Sequence, residues 1–62
     1  MNIVLGKIVN IDREVEFVGD EVQEYWKRTA VIDVYGRISS IIFTSQKKED
    51  LLGYQVGQIV EV

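Results

Sequence analysis

The sequence predicts a small all-β domain in which five strands form a barrel and one short helical turn precedes the last strand. Three observations support this prediction. The chain has 62 residues, enough for one domain with a thin core. Val and Ile occur in almost every segment, and β-branched residues favour strands over helices. Apolar and polar side chains alternate with the two-residue period of strands through much of the chain.

The first two strands are predicted from residues 2–11 and 13–18. In the first of them Gly6 is expected to form a bend or bulge, where the strand of a small barrel must curl. The second (REVEFV) alternates between glutamate and apolar side chains, so it is expected to have one apolar face. Polar residues 19–24 begin with Gly-Asp and predict a turn with a flexible loop or a hairpin extension.

The longest strand is predicted over residues 25–35 (YWKRTAVIDVY). Its even-numbered side chains, from Trp26 to Val34, are expected to share the more apolar face, and its odd-numbered side chains the wetter one. The Tyr-Gly pair at 35–36 is a tight-turn signal. Residues 37–44 are therefore expected to return as the partner strand of a hairpin.

A short helix and a last strand complete the order. Ser45 is expected to cap a helical turn over residues 46–52, and Gly53 to close it. Residues 54–62 predict a turn into the last strand. This order suits an OB-fold, in which the helix lies between the third and fourth strands and the long first strand is counted as two. An SH3-like barrel fits nearly as well and stays open as the alternative.

The residue inventory excludes most catalytic chemistry. The chain contains no Cys and no His, which excludes disulfides, Cys/His zinc sites and His-based acid–base catalysis. Its serines therefore have no histidine base, and its five glycines form no phosphate-binding loop. We expect a non-catalytic binding module without cofactor or metal. Small folds without disulfides or metals often oligomerise, so a homodimer is expected, with a partner subunit closing the barrel.

The sequence indicates a cytoplasmic protein with no membrane partner. Its first residues, MNIVLGK, lack the basic start and long apolar run of a signal peptide. No segment approaches the roughly 18 apolar residues of a membrane span.

Aromatic and basic residues occur together from residue 25 onwards. Binding of single-stranded nucleic acid needs flat rings on which bases stack and cations beside the phosphates. The formal charge of −3 argues mildly against this function, although local clusters matter more than the sum. The candidate nucleic-acid-binding residues are Tyr25, Trp26, Lys27, Arg28, Tyr35, Arg37, Lys47 and Lys48.

Some of these residues have a structural interpretation as well. Trp26 and Phe43 also fit core positions, because aromatic side chains dominate small cores. Lys47 and Lys48 also fit a solvated helix face. Tyr25 and Tyr35 fall on the wetter face of the longest predicted strand.

The acidic residues favour a different partner. Six of them fall within thirteen residues, beginning with Asp12, and could present a phosphate-like row to a protein. This pattern predicts an interaction protein, such as a phage-encoded inhibitor of a host or defence protein, although a row of this kind also serves surface solubility. The candidate protein-binding residues are Glu14, Glu16, Asp20, Glu21 and Glu24. A third hypothesis is an assembly domain that pairs edge strands with a larger machine.

Residues 15–62 carry a resemblance to a known family. The parts that match are Val-Glu-Phe at 15–17 running into a polar loop, the aromatic–basic segment 25–37, Phe-Thr-Ser at 43–45, and the ending 52–62 with its Tyr-Gln-Val-Gly. This pattern resembles small phage and mobile-element single-stranded-DNA-binding proteins of the gene V type. The resemblance implies an OB-fold dimer whose DNA-contacting residues are Tyr25, Lys27, Arg28, Tyr35 and Arg37.

Overall fold

A computed structural model describes residues 3–62 and contains one antiparallel sheet of five strands with a short helix. In chain order its elements are β1 (Leu5–Ile11), β2 (Glu16–Gly19), β3 (Glu24–Val34), β4 (Arg37–Ser45), α1 (Lys48–Leu52) and β5 (Ile59–Glu61). The predicted order of strands and helix is confirmed. Asn2, the first residue of the predicted first strand, lies outside the described residues.

β3 is the central strand of the sheet. One of its edges pairs with β4 along nearly its whole length, from Trp26 opposite Ser45 to Val34 opposite Arg37. Its other edge pairs with β2 near its beginning and with β1 near its end. β1 and β2 therefore lie end to end beside β3, and β5 adds a short outer strand to β1.

The sheet is open. Among the described residues, β4 pairs only with β3 and β5 pairs only with β1, so no strand joins these two edges. β5 has three residues, and they pair with the beginning of β1. The predicted closure into a barrel is therefore not confirmed.

The core lies on one face of this sheet, which we call the inner face. Ile8 of β1 and Ala30 and Ile32 of β3 are buried there, and Leu51 of α1 is buried as well. The predicted apolar face of the longest strand is confirmed. Residues of lower burial that pack around this cluster are Ile11, Val34, Ile41, Phe43, Tyr54 and Val60.

The predicted bend at Gly6 is wrong. Gly6 pairs regularly with Val60, and the irregularity of β1 falls between Ile8 and Asn10. A Cβ atom at Gly6 would lie 3.0 to 3.2 Å from side-chain carbons of Val62, Val34 and Ile32. Glycine is present there because methyl groups of β3 and of the chain end pack against its backbone.

The helix begins later than expected, and Ser45 has a different role. α1 begins at Lys48, and its N-cap residue Lys47 makes no side-chain capping bond. The Ser45 hydroxyl instead accepts the Lys47 backbone N–H and donates to the Asp50 carboxylate, at an Oγ–Oδ2 distance of 2.6 Å. Ser45 lies two residues before the N-cap, and these two bonds hold the start of the helix in place.

Ile32→Ala tests the position of the core. Removing most of this fully buried side chain leaves a cavity and should cost about 2–5 kcal/mol of unfolding free energy. The check is the urea midpoint. The matched control is Ile59→Ala in β5, because that side chain is 56% exposed and its loss should cost far less. Equal midpoints for the two variants would contradict this core.

Candidate functional site

The hairpin between β3 and β4 holds an exposed aromatic ring at its tip. Tyr35 and Gly36 both have positive φ angles, 52° and 83°, as a two-residue type I′ turn requires. The Asp33 carboxylate accepts the Gly36 N–H at 2.7 Å and supports the turn. Positive φ is unfavourable for a bulky residue. The turn nevertheless presents the Tyr35 side chain 88% exposed, where it contributes nothing to the core.

The outer face of β3 and β4 connects this tip to a second tyrosine. Tyr25 and Lys27 lie at the beginning of β3 with their side chains on the outer face, because Trp26 lies on the inner side between them. The Lys27 ammonium lies 3.6 Å from the carboxylate of Glu16, its cross-strand neighbour. Tyr25 and Tyr35 are ten positions apart, so the part of this face between them is about 33 Å long.

We call this face the outer strip. Its β3 residues between the tyrosines are Lys27, Thr29, Val31 and Asp33, and its β4 residues are Ile38, Ser40, Ile42 and Thr44. Most of these side chains are uncharged. Ile38 and Ile42 are 63% and 57% exposed, so the strip is apolar as well as accessible. Arg37 is exposed at the hairpin end, but it lies opposite Val34, so its side chain leaves the sheet on the inner side.

Trp26 and Lys48, the first residue of α1, form a separate group. The Trp26 ring makes an edge-to-face contact with Phe17, with centroids 5.0 Å apart. The Lys48 ammonium lies 5.3 Å from the centre of the same ring, within reach of a cation–π interaction. Lys47 is exposed beside it. This group lies on the inner side of the sheet and does not join the outer strip. Phe43 is a core residue as expected, stacked on Tyr54 with ring centroids 4.0 Å apart.

Arg28 is held by the chain itself. Its Nε donates to the Asp12 carbonyl at 2.7 Å, and its Nη1 donates to the carbonyls of Leu51 and Tyr54 at 2.7 and 3.3 Å. The guanidinium therefore joins the end of β1, the last turn of α1 and the segment after it. We leave Arg28 out of the candidate interface for this reason.

Three of the five acidic candidates, Asp20, Glu21 and Glu24, lie at the turn between β2 and β3. The Asp20 carboxylate accepts the backbone N–H groups of Gln23 and Val22, and these bonds hold the pKa of Asp20 below its ordinary value of 3.8. Glu21 and Glu24 are exposed nearby. Glu14 lies in the connection between β1 and β2, and Glu16 is the partner of Lys27. The five residues therefore do not form a single row.

A groove of about 570 Å³ lies between this turn and Gln46. Three aromatic residues, Phe17, Tyr25 and Trp26, line it. Asp20, Glu21 and Glu24 line it too, and no Lys or Arg of the described residues does.

The outer-strip isoleucines were missed by sequence reasoning, although the pattern was visible. β4 reads RISSIIFTS, and its even positions carry two isoleucines that the inner-face core does not use. Within residues 3–62, no group of three or more carboxylates comes together as a metal site. None of the helices in that range is long and apolar enough to cross a membrane.

Comparisons with known proteins identified no relative of this chain. No protein-family model matches the chain, and searches of curated proteins and of solved structures found no similar protein either.

Arg28→Met tests the structural role of this arginine. Methionine keeps most of the side-chain length but leaves three carbonyls without their charged donor, so unfolding free energy should fall by about 1.5–3 kcal/mol. Arg37→Met, the same change at an exposed position, should cost less than about 0.5 kcal/mol. Chemical denaturation of both variants measures the difference. Equal effects would show that the Arg28 bonds contribute little.

Proposed function

We propose that this chain is a non-catalytic module that binds single-stranded nucleic acid along its outer strip, between Tyr25 and the hairpin tip. The observation that carries the proposal is the Tyr35 ring, which is held in the open by a turn of unfavourable φ beside Arg37. A ring that packs on nothing in the chain is available to stack on a base.

The connectivity of the strands supports this proposal. When β1 and β2 are counted as one interrupted strand, three antiparallel strands are followed by a helix and by a strand that returns to the first. An OB-fold has this connectivity, and it binds oligonucleotides on the face of its second and third strands. In this chain those strands are β3 and β4. Their outer face is the outer strip, and the turn at residues 20–23 corresponds to a loop that OB-folds also use.

The chemistry of the strip is suited to sequence-tolerant binding. Tyr35 and Tyr25 provide one ring at each end. Lys27 lies next to Tyr25 with its ammonium near Glu16, and Arg37 follows the hairpin turn, where its long exposed side chain can reach a phosphate at the tip from the inner side. The strip residues between Lys27 and Asp33 are uncharged, so bases can approach this middle part of the sheet without a charge to desolvate. With two cations, the strip neutralises few phosphates. Its affinity should therefore depend on salt less steeply than that of a strongly basic protein.

The proposal predicts the behaviour of two variants towards a labelled, unstructured single-stranded DNA oligomer. Loss of one stacked base contact is worth about 1–3 kcal/mol, so Tyr35→Ala should weaken binding roughly 5- to 150-fold. Arg37→Ala should reduce the slope of log affinity against log salt by about 0.7, the value for one phosphate of a single strand. Fluorescence anisotropy at several salt concentrations measures both quantities.

Arg13→Ala is the matched control for the charge effect. Arg13 is also exposed but lies in the connection between β1 and β2, outside the two strands that form the outer strip. Its removal should leave the salt slope nearly unchanged. Absence of DNA binding by the folded protein at low salt would overturn the proposal, as would equal effects of the Arg13 and Arg37 variants on the slope.

The groove beside residues 20–23 favours a second candidate function, which is binding of a basic protein partner. Aromatic residues beside carboxylates are suited to lysine or arginine side chains, and Lys48 of this chain already lies over the Trp26 ring in this way. Such a protein would act by interaction, for example as an inhibitor. A folded protein that fails to bind DNA in the experiment above would leave this groove as the better-supported surface.

A further inference from the structure

The edge of β4 that faces away from β3 has no partner within residues 3–62. The pairing of β4 runs only to β3, and none of the described backbone hydrogen bonds outside the strands involves residues 37–45. Hydrogen-bonded and non-bonded pairs alternate along an antiparallel ladder, and a two-residue turn closes on a bonded pair, here Val34 with Arg37. The N–H and C=O groups of Ile38, Ser40 and Ile42 therefore point towards the open edge.

This edge lacks the features that normally prevent pairing with another chain. Natural edge strands are protected by charged residues, by proline, by bulges or by being very short. From Ile38 to Gln46 there is no charged residue and no proline, and the nine-residue register of β4 with β3 has no bulge. The edge is therefore open to another strand. Because residues 38–46 are uncharged, a partner strand without charges fits this edge best.

β4 is complementary to itself. A two-fold axis at Ser40, perpendicular to the sheet, sets Ser40 against Ser40 of the second copy. It also sets Ile38 against Ile42 of the second copy, and the reverse pair by symmetry. Both positions in each pair have even numbers, so the outward-pointing backbone groups meet and the outer faces coincide. A register moved to centre on Ile42 would instead set Ile38 against Gln46.

We propose that two copies of this chain associate by antiparallel pairing of their β4 edges, with the axis at Ser40. The four exposed isoleucines then form cross-strand pairs, which stabilise antiparallel sheets. No like charges face each other in this register. The pairing uses the open β4 edge of both copies, so the assembly closes as a dimer. It does not depend on the proposed nucleic-acid function, but it would join two outer strips into one continuous face.

Disulfide trapping tests the register directly, because the chain has no cysteine of its own. Under mild oxidation, Ser40→Cys should form a covalent dimer, since residues opposite each other in an antiparallel pair lie within disulfide range. Thr44→Cys is the matched control on the same strand and face. In this register Thr44 lies opposite Gly36, so the two introduced thiols are about 27 Å apart and should stay unlinked.

Sedimentation velocity over a wide concentration range tests the association without a cross-link. The wild-type protein should show a monomer–dimer equilibrium, and Ile42→Lys should shift it towards monomer by charging the edge. Leu5→Lys, on the same outer face but in a strand paired on both sides, should leave it unchanged. Because each copy carries a net charge of −3, added salt should strengthen the dimer, whereas it weakens DNA binding.

The outcomes separate this proposal from the nucleic-acid proposal. A wild-type protein that is monomeric at every concentration would overturn the β4 pairing whether or not it binds DNA. Equal cross-linking of the two cysteine variants, or a dimer that Ile42→Lys does not weaken, would overturn it as well. Selective trapping through Ser40 and a dimer sensitive to Ile42→Lys would support it.

Discussion

Pairing along both edges of β3 is the constraint on which the rest of the structure depends. β1 and β2 share one edge of this strand and β4 pairs with the other, so β3 positions three of the other four strands. Its inner face supplies Ala30 and Ile32 to the core, and Arg28 on that face joins the helix to the sheet. A domain of this size has few buried residues, so the free energy of each β3 contact is a large share of the total.

The two faces of β3 have separate roles because strand side chains alternate. The inner face is occupied by the core, by α1 and by the Trp26 group. The outer face carries the half-buried Tyr25 and the exposed isoleucines of β4, and the exposed ring of Tyr35 lies at the hairpin tip. The nucleic-acid proposal and the dimer proposal both follow from this division, since each assigns a use to the same uncovered side of the sheet.

Local patterns predicted β3 and its faces, while features set by distant contacts were missed. Alternation from Trp26 to Val34 identified the core side, and Tyr-Gly identified the hairpin turn. No local pattern shows that Arg28 bonds to carbonyls 16 to 26 residues away, so the sequence placed it beside Lys27 as a phosphate contact. Closure of the barrel depends on which strands β4 and β5 meet, and that is equally non-local. The sequence predicted a bend at Gly6 because the residues next to it do not show that the glycine packs against Val34 and Val62, which are distant in the chain.

Chemical-shift mapping with an isotope-labelled protein tests the central claim, that the outer face of β3 and β4 is the binding surface. A short single-stranded oligothymidine would be titrated at low salt while backbone and side-chain resonances are followed. The account predicts shifts at Tyr25, Lys27, Tyr35 and Arg37, with little change at the Trp26 indole on the inner side. Shifts confined to Glu21, Glu24 and Trp26, or no shifts at all, would contradict it.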